Sequence, residues 1–224
     1  MVISLMKIVA GFPAPIIVAL MLNEVRSNKY KRTLQTIMYL PHFLSWVVVG
    51  SLIFMFFAPD SGIVSQLIMA LGGERLTIMI DANSFRGLLV LSDIWKGVGW
   101  GTIVYMAALS GIDASLYEAA VVDGAGRWLQ MRYITLPGIM PTVMTMLVLR
   151  MGGILNAGFE QVFVLQNDLV YKVSEVIDTF VYRISFTQNQ YSVGAAADLF
   201  QSVIGLIFVV TANTVARRFD QGVL

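Results

Sequence analysis

The chain has 224 residues, a formal net charge of +1, 57% apolar and 13% charged residues, and a mean hydropathy of +0.75. That balance excludes an ordinary soluble domain and gives no hint of a nucleic-acid partner. The absence of cysteine removes disulfides, thiolate metal sites and cysteine nucleophiles together.

Apolar residues gather in runs of roughly 18 to 24, and about 20 helical residues cross a hydrocarbon core of ~30 Å. The sequence predicts an all-α, polytopic helical membrane protein embedded in the lipid bilayer, one domain over 1–224 without a short repeat or low-complexity tract. Spans are expected at about 4–22, 36–57, 87–109, 138–157 and 193–215. The first is too long for a signal peptide, and Pro13 and Pro15 after Gly11 predict a kink. Between spans, 58–86 holds IVSQLIMAL and LTIMI, too short to cross, and 158–192 carries Tyr171, Tyr182 and Tyr191, rings suited to the headgroup level.

Lysine and arginine set the orientation. Arg26, Lys29, Lys31 and Arg32 follow the first span, Arg127 and Arg132 the third, and Arg217 and Arg218 the fifth. The other side carries Arg75, Arg86, Lys172 and Arg183 over longer connections. Excess cations mark the cytoplasm, which places the loop 110–137 and the C-terminus inside and the N-terminus outside.

The loop EAAVVDGAGRWLQMRYITLPGIMP, 118–141, is polar between two apolar segments. Ser115 and Glu118 have capping-box spacing, which starts a helix near Leu116. Ala119, Ala120 and Ala125 keep one surface small, and Asp123-Gly124-Ala125-Gly126 supplies a turn. A second short helix, Arg127 to Ile134, should stop at Pro137, and Pro141 should fall in the first turn of the next span. The result is a helix–turn–helix against the membrane, open to a partner.

Glu118-Ala119-Ala120, Gly124 and then Ile134-Thr135-Leu136-Pro137 resemble the EAA loop of permease subunits of ATP-binding-cassette importers. The resemblance extends over the whole chain through NEVR (23–26), YLPHFLSWVVV (39–49), LSGIDASLYEAAVVDGAGRW (109–128) and GFEQVFVLQNDLVYKVSEVIDTFVYR (158–183). It is nearest to bacterial sugar permeases of the lipoprotein or polysaccharide type. It implies a type I importer core whose EAA coupling helix, with Glu118, Ala119, Ala120, Asp123, Gly124, Ala125, Ile134, Leu136 and Pro137, docks on cytoplasmic ATPase subunits. It further implies a second, different permease, an external solute-binding protein, an oligo- or polysaccharide cargo and residence in the bacterial cell (inner) membrane. The family has six spans and Met1 falls at the start of its second, so a further N-terminal span is expected to be missing from this chain.

No GxxxxGK[ST] phosphate loop, HExxH or GxSxG occurs, so the chain is read as a transport subunit without catalytic residues, its ATP hydrolysed by a partner. Neither a cofactor nor a metal is called for: His42 is the lone histidine, and metal sites want several ligands. Gly97 and Gly101 have small-xxx-small spacing for helix packing. Asp93 and Lys96 share a helical face and are placed to pair, whereas Arg150 and Asp198 lack local partners. Asn156, Glu160, Asp198 and Gln201 either line a polar path for a hydroxyl-rich solute or hydrogen-bond between helices. The alternatives are an ion-coupled secondary transporter using Asp93 and Asp198, an importer of non-sugar cargo, and a structural membrane protein without a pathway.

Overall fold

In the computed structural model of the chain, residues 1–217 are described; Arg218 and the C-terminus, on which part of the orientation argument rests, lie outside the described residues. All regular structure among the described residues is helical. Helix α1 (Val2–Gly11) runs into α2 (Pro13–Asn23) with only Phe12 between them, itself at helical dihedrals (φ −69°, ψ −44°). Pro13 thus sits at a helix start, where its missing N–H costs least.

The segment 36–57 is not one helix. Amphipathic α3 (Asn28–Tyr39) ends in a 3₁₀ turn (Leu40–Phe43) and α4 (Trp46–Phe57) leaves at a 102° bend. The cause is local. Pro41 tightens the turn, Leu44 is extended (φ −76°, ψ 139°), and the extended Ser45 caps α4 by accepting the Val48 N–H at 3.3 Å. At twelve residues α4 is about 18 Å long, well short of a ~30 Å hydrocarbon core.

After α5 (Ile63–Ala70) comes the axis of the molecule, α6 (Ala82–Ser110). Asp81 caps it, accepting from the Ser84 N–H at 2.9 Å and the Ser84 hydroxyl at 2.8 Å, which holds this carboxyl below its ordinary range. Twenty-nine residues make α6 about 44 Å long, and α1, α2, α3, the 3₁₀ turn and a later helix, α9, all pack on it. One core cluster joins Phe85, Leu88 and Leu89 of α6 to Ile3, Val49, Ile53, Val162 and Leu165; a second joins Tyr105 and Leu109 to Ala19 and Ile139.

Beyond α6 lie α7 (Ala114–Val122), α8 (Arg127–Gln130), a π turn (Met131–Thr135) and α9 (Leu136–Gly152). Here two expectations are corrected. Pro137 does not stop the helix, because Arg127–Gly152 is a single 26-residue helical run. The π turn has already moved the hydrogen bonds to i→i−5 (Leu136 N–H to Met131 O), so the proline follows an altered register, not a regular turn. Pro141, in consequence, lies inside α9 and not in its first turn.

Short helices α10 (Phe159–Leu165), α11 (Tyr171–Ser174) and α12 (Ile177–Tyr182) and a second π turn (Arg183–Thr187) lead to α13 (Tyr191–Arg217). Together Val2–Asn23, Arg127–Gly152 and Tyr191–Arg217 are long and apolar enough to cross a membrane. Helix α13 packs on α9 where Gly152 and Gly205 meet: a Cβ on Gly205 would stand 2.6 Å from the Gly152 carbonyl oxygen. Its remaining surface exposes Leu199, Phe200, Val203, Leu206 and Ile207, a face suited to hydrocarbon or to another membrane helix.

The glycines of α6 divide differently from the expected Gly97–Gly101 pair. A Cβ on Gly99 would overlap the Met38 carbonyl, one on Gly101 would stand 3.1 Å from Pro15, and one on Gly97 would meet nothing within 4 Å. Gly99→Leu should force α3 and α6 apart and lower the thermal midpoint of the detergent-solubilised protein by several degrees. Gly97→Ala should leave the midpoint unchanged or raise it.

Candidate functional site

The loop 110–137 folds into a bracket. Helix α7 starts at Ala114, two residues before the expected Leu116, because Asp113 and not Ser115 is its cap: the Asp113 carboxylate accepts the Ser115 N–H at 2.9 Å. That bond holds the Asp113 carboxyl below its ordinary range, so its capping contribution is present above the unfolded pKa and lost as pH falls through the lowered one. Glu118, relieved of capping, stands exposed on α7.

The turn after α7 is a Schellman motif. Gly124 adopts φ +76°, its N–H donates to Val121 O at 3.0 Å, and the Ala125 N–H donates to Ala120 O at 2.8 Å. Three further contacts hold the bracket in place. Gln130 Nε2 donates to Ala125 O at 2.8 Å, the Tyr117 hydroxyl lies 2.9 Å from Thr135 Oγ1, and Arg127 pairs with Glu24 at 3.4 Å. The last is solvent-exposed, so it adds at most about 1 kcal/mol and mainly sets position. Neither Tyr117 nor Glu24 was singled out from sequence; NEVR was quoted only as part of the resemblance.

Neither α7 nor α8 buries a residue. Leu116, Val121, Val122, Trp128 and Leu129 are all exposed, Val122 at 87%. Of the residues expected to dock a partner, Glu118, Ala119, Asp123, Gly124 and Pro137 are exposed, and Ala120, Ala125, Ile134 and Leu136 are half-buried. Because α8 continues through the π turn into α9, one uninterrupted helix connects this surface to the membrane interior.

Inside the helical body, Lys7 of α1 is buried, 4% exposed, an ionisable group that is not among the site residues expected from sequence. Its ammonium donates to Asp93 Oδ1 at 3.3 Å, to Ala157 O at 2.6 Å and to Gln161 Oε1. Gln161 Nε2 in turn donates to Leu89 O at 2.7 Å and to Ser92 Oγ at 2.8 Å. Asp93 therefore pairs with Lys7 and not with Lys96, which instead donates to His42 O at 3.0 Å and lies over the Trp46 ring. Arg150 finds its partner across helices, with Nη2 3.9 Å from Asp93 Oδ2. No spacing rule reaches these pairings, since the partners lie 86 and 154 residues from Lys7.

Three of the four candidate path residues do converge. Asn156, Asp198 and Gln201 line a polar notch of ≈ 330 Å³ with Asp178 and Ser202, and Gln201 Nε2 donates to Asp178 Oδ1 at 3.1 Å. Glu160 does not line the notch; it lies exposed at the start of α10. A second cleft of ≈ 420 Å³ lies along α6 and is lined by Asp93, Gly97, Trp100, His42 and Arg150 among others. The His42 ring stacks on Trp100 at 4.7 Å, an aromatic contact and not a ligand set, and no cluster fit for a metal occurs among the described residues.

Long apolar helices with an exposed, internally braced loop between two of them are the build of a helical membrane protein. Residues 11–223 match the family described as the inner membrane component of binding-protein-dependent transport systems, and the chain belongs to that family. Over 221 residues it is 47% identical to protein LplB of Bacillus subtilis (strain 168), covering 99% of this chain and 70% of that one. The polygalacturonan/rhamnogalacturonan transport system permease protein YteP of the same organism is 42% identical over 221 residues, covering 99% and 69%. Among solved structures, a bacterial alginate ABC transporter in complex with an alginate pentasaccharide-bound periplasmic protein superposes with a TM-score of 0.95 at 40% identity, over 100% of this chain and 77% of that one. The fold is that of a type I importer permease, and the family is a transport component, not an enzyme.

Removing the Lys7 ammonium leaves Asp93, Gln161 and the Ala157 carbonyl without their donor. Lys7→Met should destabilise the protein by about 3–5 kcal/mol, read as a lower thermal midpoint in detergent. The Lys7→Met, Asp93→Asn double variant should recover part of that loss, because the carboxylate left with Arg150 alone, at 3.9 Å, is gone.

Proposed function

We propose that this chain is one of two different permease subunits in an importer that moves an oligo- or polysaccharide across the bacterial inner membrane, driven by cytoplasmic ATPase subunits. The observation that carries the proposal is the exposed α7–α8 bracket, fixed at its turn by Gly124 and continuous through α9 with the membrane interior. A surface that buries nothing of its own is available to a separate protein. A continuous helix passes that protein's movement onward without bending. Glu118, Ala119, Ala120, Asp123, Gly124 and Ala125 form the docking side, and Ile134, Leu136 and Pro137 connect it to α9. The cytoplasm, by the cation distribution, is on the side of this bracket and of the C-terminus.

Cargo follows from the relatives: YteP is by name a permease for polygalacturonan and rhamnogalacturonan, and the structural neighbour is a transporter of alginate. By the same likeness, an external solute-binding protein delivers the saccharide, and the second permease covers the apolar face this chain leaves open. Asn156, Asp198 and Gln201 are the path residues best supported by geometry, since they share one notch. The ion-coupled alternative is weakened at its first candidate, because the Asp93 carboxylate is already paired with Lys7 and Arg150.

Purified from native membrane as an intact assembly, the transporter should hydrolyse ATP faster when a receptor-bound saccharide is supplied. Gly124→Leu, which puts a branched side chain at φ +76°, and Glu118→Lys, which reverses a docking-surface charge, should each reduce that stimulation at least about tenfold while the protein still inserts. Full stimulation in both variants would remove the bracket from the mechanism.

A further inference from the structure

Arg150 is the group the proposed function leaves unused. It sits in the last turn of α9, two residues before the helix ends at Gly152, with its side chain half exposed (50%) and lining the ≈ 420 Å³ cleft along α6. Among the described residues its ion-pair partner is Asp93, with Oδ2 at 3.9 Å, beyond hydrogen-bond reach, and no hydrogen bond from its guanidinium is found there. Asp93 cannot neutralise it fully, because the other carboxylate oxygen already serves the buried Lys7 ammonium. Two cations therefore share one anion, leaving one positive charge in excess on the cleft wall. Five N–H donors held in a planar fork match a carboxylate in two-point geometry.

The same cleft carries an aromatic platform. Trp100 is half exposed, and the His42 ring lies parallel to it at 4.7 Å and 3°, which fixes the indole in place. Gly97, with nothing within 4 Å of a built Cβ, leaves the α6 backbone open between Asp93 and Trp100. A fixed indole face takes the apolar C–H face of a pyranose ring, and a guanidinium beside it takes a ring carboxylate.

We propose that this cleft binds a uronic-acid unit of the cargo, with Arg150 holding the carboxylate and Trp100 the ring, so that the transported saccharide is acidic. The inference rests on the saccharide reading above and adds the charge to it. Lys7 and Asp93 act here as positioning residues: by occupying one carboxylate oxygen, Lys7 keeps Asp93 from quenching Arg150. The polar notch at Asp178 and Asp198 carries the opposite charge and is not part of this subsite.

Equilibrium binding to the intact assembly in nanodiscs tests this, with labelled trigalacturonate, alginate trisaccharide and neutral galactotriose as probes. The wild-type assembly should bind at least one uronate probe more tightly than galactotriose. Arg150→Gln should weaken that binding about tenfold, the value of one charge-assisted pair, and leave galactotriose within twofold. Arg150→Lys should fall between, because it keeps the charge and loses the fork, while Trp100→Ala should weaken all three probes. Equal wild-type affinity for charged and neutral probes overturns the proposal. So does an Arg150→Gln loss that is absent or equal for both kinds, the latter being the mark of a purely structural role. If saccharides stimulate ATP turnover and yet show no charge preference, only this inference falls; if none stimulates, the saccharide reading falls and takes it along.

Discussion

One buried ammonium ties the molecule together. Lys7 reaches α6 through Asp93, the segment before α10 through Ala157 and α10 itself through Gln161, so stretches of chain distant in sequence converge on one nitrogen. A charge in hydrocarbon is costly unless every donor finds an acceptor, and here three acceptors surround it. The cost is offset only when α1, α6 and the 157–161 segment are all in place. The network therefore specifies the arrangement of these elements in a way that apolar packing cannot, since lipid chains would solvate Leu and Val equally well.

Around that point, α6 works as a mast. Its small residues set how closely neighbours approach: Gly99 admits the α3 backbone, and Gly101 admits Pro15 of α2. Two of its polar residues are buried, Ser92 on Gln161 and Thr102 donating to Val98 O. Helices α9 and α13 form a second unit joined to the mast mainly through α9, and their contact at Gly152 and Gly205 is again backbone against backbone. The 110–137 bracket hangs from α9 while touching α2's end through Arg127 and Glu24. Motion at the bracket thus has a stiff route along α9 and a lighter tie to the mast.

What sequence could and could not say follows from the range of each interaction. Long apolar runs identified the segments that became α1–α2, α6, α9 and α13, because hydropathy is local. The bend at 44–45 was missed, although Pro41 and Ser45 are both boundary signals, since the apolar run continued across them. The capping-box spacing of Ser115 and Glu118 points to Ser115 as the cap, whereas in the fold the Asp113 carboxylate, two residues earlier, caps α7. Gly124 was legible, as a turn after a helix needs a left-handed residue. The π turn was not, because no residue type encodes i→i−5 bonding. Asn156, Asp198 and Gln201 were recognised as intramembrane polar groups, yet their company with Asp178 depends on how α12 meets α13. Lys7 with Gln161, and Arg150 with Asp93, are pairings only the fold supplies.

The π turn at Met131–Thr135 adds a residue to one helical winding between the bracket and α9. Each residue of an α-helix advances the azimuth by about 100°, so that single insertion sets the compass heading of Trp128 and Leu129 relative to the face α9 turns toward α6. The exposed face of α8 and the lining of the membrane interior are consequently phased by a backbone irregularity, with no side chain assigned to the task. Straightening that winding would swing the one past the other by more than a quarter revolution, though every side-chain contact along α9 remained in place.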